Sequence, residues 1–443
     1  MRIQLSEHFT YKKLLKFVFP SIIMMIFTSI YSVVDGLFVS NFAGKTPFAA
    51  VNLIMPLLII LGALGFMVGA GGTAIVAKTL GEGNGKKANK YFSLLVYTVL
   101  IGGTLLALLG ILFAKPVAIM LGAEGEMLDC CARYARIVLI ALPFFMLQNV
   151  FQSFFVTAEK PSLGLFFTVA AGITNILLDA LLVGICSFGL EGAAIATAVS
   201  QFIGGFLPIL YFIRPNNSLL RLGKTQFYGK ILLKTITNGS SELMNNIASS
   251  IVTVFYNFQL MKYAGEDGIA AYGAIMYVSF FFVAVFIGYA VGSAPIVSFH
   301  YGAANHTELK NLFRKSIILL IAFGFSMTAL GILLSAPLSS IFVGYDNALM
   351  EMTKRGFIIF SLHFMICGLN IYASSLFTAL NNGVISAILA FLRTFVFQSA
   401  SVLLLPIFWK LDGIWLSVLV SETLALIISA IFVIRKRKEY RYL

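Results

Sequence analysis

The chain has 443 residues, 59% hydrophobic and 11% charged, with a mean hydropathy of +0.95. That make-up excludes an ordinary water-soluble globular protein. The net charge of +13 requires no nucleic-acid partner, because the basic residues gather at the ends of apolar segments, where anionic head groups meet them.

Apolar runs of the ~20 residues needed to cross a hydrocarbon core recur along the whole chain. Twelve spans are expected, over residues 13–40, 49–78, 92–114, 130–156, 163–187, 192–213, 231–261, 269–298, 313–336, 351–379, 384–408 and 413–434. Several exceed the minimum, so tilt or kinks are expected. No short apolar segment leads into a small-residue cleavage site, so the first span reads as a retained anchor and not a signal peptide.

The second half repeats the first at a spacing of 221 positions. Ala49-Ala50 returns as Ala270-Ala271, Gly71 as Gly292, Gly81 as Gly302, Asn84 as Asn305, Pro116 as Pro337 and Asn149 as Asn370. Six spans per repeat is an even number, so both repeats insert the same way up. The fold class expected is an all-α integral membrane protein of twelve transmembrane helices in two six-helix lobes, related by a pseudo-two-fold axis along the membrane normal. Residues 1–213 form the first lobe, the polar stretch 214–230 with Pro215, Asn216 and Asn217 a cytoplasmic linker, and 231–443 the second lobe with a basic tail. Duplication of this kind builds carriers, and also rigid symmetric channels.

Lys and Arg crowd the loops on one side, among them Arg2, Lys12, Lys13, Lys16, Lys86, Lys87, Lys90, Arg214, Arg221, Lys310, Arg314 and the run Arg435–Lys438. By the positive-inside bias both termini are cytoplasmic. Cys130, Cys131, Cys186 and Cys367 lack metal-ligand spacing and read as free thiols, with no disulfide and no metal. No glycine-rich Lys-Ser/Thr nucleotide loop is present.

Charged groups inside spans are costly, about 2.5–3.5 kcal/mol each on insertion scales, and tend to face a cavity or a partner. Asp35 follows an apolar run in the first span, fifteen positions after Pro20, where the lost hydrogen bond and ring clash favour a bend. Asp179 shares a helical face with Asn175 one turn earlier, and Thr197 in the next span offers a hydroxyl. Grouped together they make either a site for a proton or small cation, since desolvation and like charge both disfavour two ionised carboxylates, or a polar network that pins helices. Glu422 reads as an interfacial residue near the basic tail. Arg393 either pairs with a carboxylate such as Glu242 or snorkels to the cytoplasmic face, the second reading being favoured.

The twelve-span duplicated pattern, the spacing of Pro20 and Asp35, the set Asn175, Asp179 and Thr197, and Glu82-Gly83-Asn84 in the first cytoplasmic loop resemble the multidrug and toxic compound extrusion (MATE) transporters, within the multidrug/oligosaccharidyl-lipid/polysaccharide exporter superfamily. The resemblance covers essentially the whole chain. It implies that Asp35, Asn175, Asp179 and Thr197 bind the coupling ion, H+ or Na+, that Pro20 is a hinge of the first helix, and that no other cofactor is needed. One branch of that family uses an acid in the tenth span for sodium; here 355–379 has none, so a second-lobe sodium site is not expected, and Glu242 with Asn245, Asn246 and Asn257 is assigned to the substrate path instead. Positions 396 and 400, which repeat 175 and 179, are Val396 and Ala400, so coupling is expected to be asymmetric.

Aromatic faces bind cations and planar rings, and Tyr31, Tyr256 and Tyr277 fall in spans that family members place near the central cleft. The expected function is secondary antiport of organic, mainly lipophilic cationic, compounds by alternating access, in a bacterial inner membrane. The expected partners are a small-molecule substrate and the lipid bilayer, with the protein a monomer. A lipid-linked oligosaccharide flippase of the same superfamily is the alternative. A membrane-embedded hydrolase is poorly supported, because only His306, with Glu308 nearby, pairs a base with an acid.

Overall fold

The computed structural model describes residues 3–39, 42, 44–344 and 346–443; Arg2 lies outside them. Among the described residues all regular structure is helical. The helices are α1 (Tyr11–Phe38), α2 (Lys45–Gly81), α3 (Gly85–Met120), α4 (Gly125–Ile140), α5 (Leu142–Thr157), α6 (Pro161–Leu178), α7 (Gly189–Ile213), α8 (Gly229–Gly302), α9 (His306–Val343), α10 (Asn347–Ser361), α11 (Phe364–Ala379), α12 (Gly383–Phe391) and α13 (Gln398–Tyr440). Among the described residues, π-helical turns run over Asp179–Ile185 after α6 and Leu392–Phe397 after α12.

Among the described residues, eight helices are long and apolar enough to cross a membrane, and up to ten if each bent pair counts as one span. The bent pairs are α4 with α5, at 54°, and α10 with α11, at 48°. The apolar runs 130–156 and 351–379 are therefore not the simple single spans expected of them. Helix α8 has 74 residues, about 110 Å at 1.5 Å per residue, far more than one bilayer. Its backbone leaves helical geometry at Gly265, and that of α13 does so at Lys410. Each of the two helices is therefore divided there into two arms.

The duplication is visible in the loops. Gly265 has φ 62° and its counterpart Gly44 has φ 97°; Lys410 has φ 49° and its counterpart Gly189 φ 53°. At the third pair, Gly83 and Ala304 both take positive φ, and each is followed by an asparagine, Asn84 or Asn305, whose side chain caps the next helix. The repeat thus uses one turn design twice: a left-handed residue ends one helix and an N-cap starts the next.

Burial follows the same division. One core holds residues of the first repeat, from Val39 to Leu220, and another holds residues of the second, from Val252 to Val418. A third core is mixed. It joins Leu5, Phe9, Leu14, Phe17, Val18 and Ile22 at the start of the chain to Phe286, Tyr289, Ile296, Phe377, Tyr440 and Tyr442. Both termini therefore lie on one face of the molecule, called here the terminal face.

The two lobes touch through glycine. A Cβ on Gly81 would fall 2.0 Å from the Phe299 carbonyl oxygen, and one on Gly302 would fall 2.0 Å from that of Lys78. These two contacts are images of each other under the 221-residue repeat, so the pseudo-two-fold axis passes between α2 and the end of α8. A second image pair lies deeper: Gly71 meets Thr235 and Gly239, while Gly292 meets Val18. Small residues let backbones approach where lipid supplies no hydrophobic push between helices.

Candidate functional site

Asp35 lies near the end of α1, and α1 runs through Pro20 as one helix with no non-helical residue. The bend expected at Pro20 is not a break in this structure. Asp35 is 9% exposed, Asn175 2% and Asp179 0%. Asn175 donates its Nδ2 to Asp35 Oδ1 at 3.5 Å, and Thr197 Oγ1 donates to the same oxygen at 3.4 Å. Both bonds are at the long limit. The structure thus brings together three helices, α1, α6 and α7, at the four residues singled out in the sequence.

Asp179 faces Asp35, and neither of its carboxylate oxygens meets a donor among the described residues. Asn175 Oδ1 is likewise without one. Buried acceptors are rarely left so. Two ionised carboxylates offer only acceptors to one another; a proton shared between them supplies the missing donor, and a small cation would serve as well. No basic residue forms an ion pair with either acid among the described residues. Asp179 also opens the π-helical turn Asp179–Ile185, an irregularity often found at functional positions.

Two neighbours escaped the sequence reading. Tyr134 on α4, 1% exposed, lies beside Asp35, Thr197 and Asp179, and its hydroxyl has no hydrogen-bond partner among the described residues. Gln148 on α5 lies against Tyr31, which itself packs on Phe27 and Gly172 beside Asp35. The sequence signal was weak for both: each sits in a long apolar run whose bend at Ala141 turns a residue of α4 and one of α5 toward the same pocket.

The second lobe is organised differently. Arg393 donates to Glu422 Oε1 from Nε at 2.9 Å, with a terminal guanidinium nitrogen at 2.8 Å. Asn370 Nδ2 reaches Glu422 Oε2 at 2.6 Å and the Glu422 carbonyl at 2.9 Å. Glu422 is 6% exposed, so it is a buried ion-pair partner and not an interfacial residue. Arg393 does not snorkel, because the acid on α13 lies within reach of the π-helical turn that carries it. Glu242 feels the same guanidinium without an ion pair among the described residues.

The substrate-path candidates scatter. Asn246 donates to the Glu242 carbonyl on its own helix at 2.8 Å, and Asn257 is partly exposed. Tyr277 is 46% exposed and stacks on Phe342. Tyr256 is corrected: it is 1% exposed, stacked on Tyr272 and bonded to Ser417 at 2.6 Å, inside the core of the second lobe. Its side chain is packing, not cavity wall. His306 and Glu308 are not partners either, since Glu308 takes His8. Among the described residues no group of three or more His, Cys, Asp or Glu could hold a metal ion, and all four cysteines are free.

The MatE family model matches residues 20–181 and 243–401, one stretch in each lobe. Multidrug export protein MepA of Staphylococcus saprophyticus is 23% identical over 437 residues, covering 96% of this chain and 93% of that protein. MepA of Staphylococcus haemolyticus is 26% identical over 325 residues, covering 73% and 72%. A crystal structure of MATE in the straight conformation superposes with a TM-score of 0.92 at 19% identity, covering 98% of each chain. The chain belongs to the MatE family and is a multi-pass membrane transporter of the MATE type.

Proposed function

We propose that this protein exports organic, mainly lipophilic cationic, compounds in exchange for protons or sodium ions by alternating access, with both termini in the cytoplasm. The observation that carries the reading is the pair Asp35 and Asp179, buried face to face, with no basic ion-pair partner for either acid and no donor to Asp179 among the described residues. Such a pair takes up a positive ion and releases it when its surroundings change.

Helix α1 connects that pair to the lobe contact. Asp35 lies near one end, while Ser21, Ile22 and Val18 pack on Gly288 and Gly292 of α8, about 20–25 Å away along the helix. Ion uptake that alters how α1 meets α6 and α7 therefore acts on a helix that also forms the seam between lobes. The relatives' names, multidrug export protein, support organic compounds as cargo. Arg393, the one base well inside a span, is neutralised by Glu422, which leaves little to recommend a flippase for anionic lipid-linked sugars.

The test is uptake of a fluorescent organic cation by sealed proteoliposomes under an imposed pH gradient, with choline in place of sodium, and then under a sodium gradient at fixed pH. Uptake in one arm identifies the ion. Uptake in neither arm would overturn antiport.

A further inference from the structure

The residues before α1 cross from one lobe to the other on the terminal face. Leu5 and Phe9 are both fully buried. The Leu5 amide donates to Glu159 Oε1 at 2.7 Å, and Glu159 lies in the turn between α5 and α6, in the first lobe. The Phe9 amide donates to Glu308 Oε1 at 2.9 Å, and Glu308 lies in the first turn of α9, in the second lobe. His8 Nδ1 meets the other oxygen of Glu308 at 2.7 Å. Asn311 donates to Glu308 Oε1 at 2.7 Å and to the Phe9 carbonyl at 3.0 Å, and Lys315 Nζ reaches that carbonyl at 2.6 Å.

Two buried carboxylates, one per lobe, thus hold main-chain amides four residues apart. Hydrogen bonds from an amide to a charged acceptor are stronger than neutral ones and costly to break inside a protein. The backbone of Leu5 and Glu7 lies beside His300 of α8, two residues before Gly302, which meets α2 at Lys78. This segment is continuous with α1, which starts at Tyr11, and Leu5 and Phe9 are buried in the core shared with second-lobe residues, so parting of the lobes on this face must break either its bond to Glu159 or its bonds to Glu308.

We propose that residues Leu5–Phe9 are an inter-lobe latch, and that Glu308, with Asn311 and Lys315, is the keeper that holds the terminal face closed during the transport cycle. Glu308 is a positioning residue: it touches no cargo and no coupling ion, and it sets how readily this face opens. The inference rests on alternating access, but its test reads lobe distance directly.

Spin labels at Lys86 and Thr307 sit on exposed, repeat-related positions in the first turns of α3 and α9. In the full chain in lipid nanodiscs, Glu308→Ala is expected to raise the population with the longer label distance about tenfold, as loss of a charge-assisted hydrogen bond implies. Glu308→Gln, which keeps one acceptor, is expected to fall between. A drop in melting temperature with an unchanged distance distribution would show a merely structural role and overturn the proposal. A second arm does not depend on the fate of the alanine variant. In a Cys186→Ser background, His8→Cys with Glu308→Cys, bridged by a short bifunctional thiol reagent, should stop uptake that the unbridged pair supports. Undiminished uptake after bridging would overturn the latch and leave antiport standing; absent uptake in the wild type would fail antiport, while the label distances would still decide the latch.

Discussion

Arg393 and Glu422 share a largely buried ion pair in the second lobe, two guanidinium nitrogens on one carboxylate oxygen, whereas neither Asp35 nor Asp179 has an ion-pair partner among the described residues. The two lobes share one repeat yet differ in charge: the second pairs Glu422 with an arginine of its own lobe, and the first sets two acids face to face. Breaking the buried pair by Glu422→Ala should cost ~3–5 kcal/mol, since the guanidinium is left uncompensated. Replacing both partners, Arg393→Met with Glu422→Leu, should recover most of that loss. Thermal unfolding in detergent across the double-mutant cycle measures it; equal losses in the single and double variants would refute the pairing.

The glycine seam predicts a conformational effect. Gly302→Ala places a methyl group 2.0 Å from the Lys78 carbonyl oxygen, a backbone atom that cannot rotate away. Overpacking of this kind costs ~1–3 kcal/mol, here charged against the closed arrangement. The label pair at Lys86 and Thr307 should report a larger separation in Gly302→Ala than in wild type. Gly81→Ala, its image in the repeat, should do the same, and an effect from one without the other would contradict the symmetric contact.

Tyr134 predicts a role in ion handling. Its hydroxyl, buried beside Asp35, Asp179 and Thr197, is a donor that changes in the acid pair can recruit. Tyr134→Phe removes the hydroxyl and leaves the ring. Gradient-driven uptake should fall about tenfold, in line with one lost hydrogen bond to a charged group, with little change in melting temperature. Normal ion dependence in that variant would remove Tyr134 from the site.

Much of this was legible in the sequence because the repeat is written in residues with strong backbone preferences. Gly71 and Gly292, Gly81 and Gly302, and Asn84 and Asn305 hold the 221-residue register. The acid cluster was legible because Asp35, Asn175, Asp179 and Thr197 stand out against apolar runs. The bends at Ala141 and Leu362 were not, because hydrophobicity continues through both joints; Pro143 was the one local hint in the first. The partner of Arg393 was hidden for another reason. Whether an arginine reaches an acid on a neighbouring helix depends on helix rotation, and the π-helical turn Leu392–Phe397 shifts that rotation without any residue that announces it. Tyr256 misled because an aromatic ring in a span serves core and cavity equally well.

The strongest single check is ion-driven uptake of a fluorescent organic cation into proteoliposomes by Asp35→Asn, which keeps the shape of the side chain and removes its charge. A folded protein with normal melting behaviour and no uptake above the ungradiented background is expected. Uptake at the wild-type rate would contradict it, because the first lobe would then be driving transport without the acid that faces Asp179.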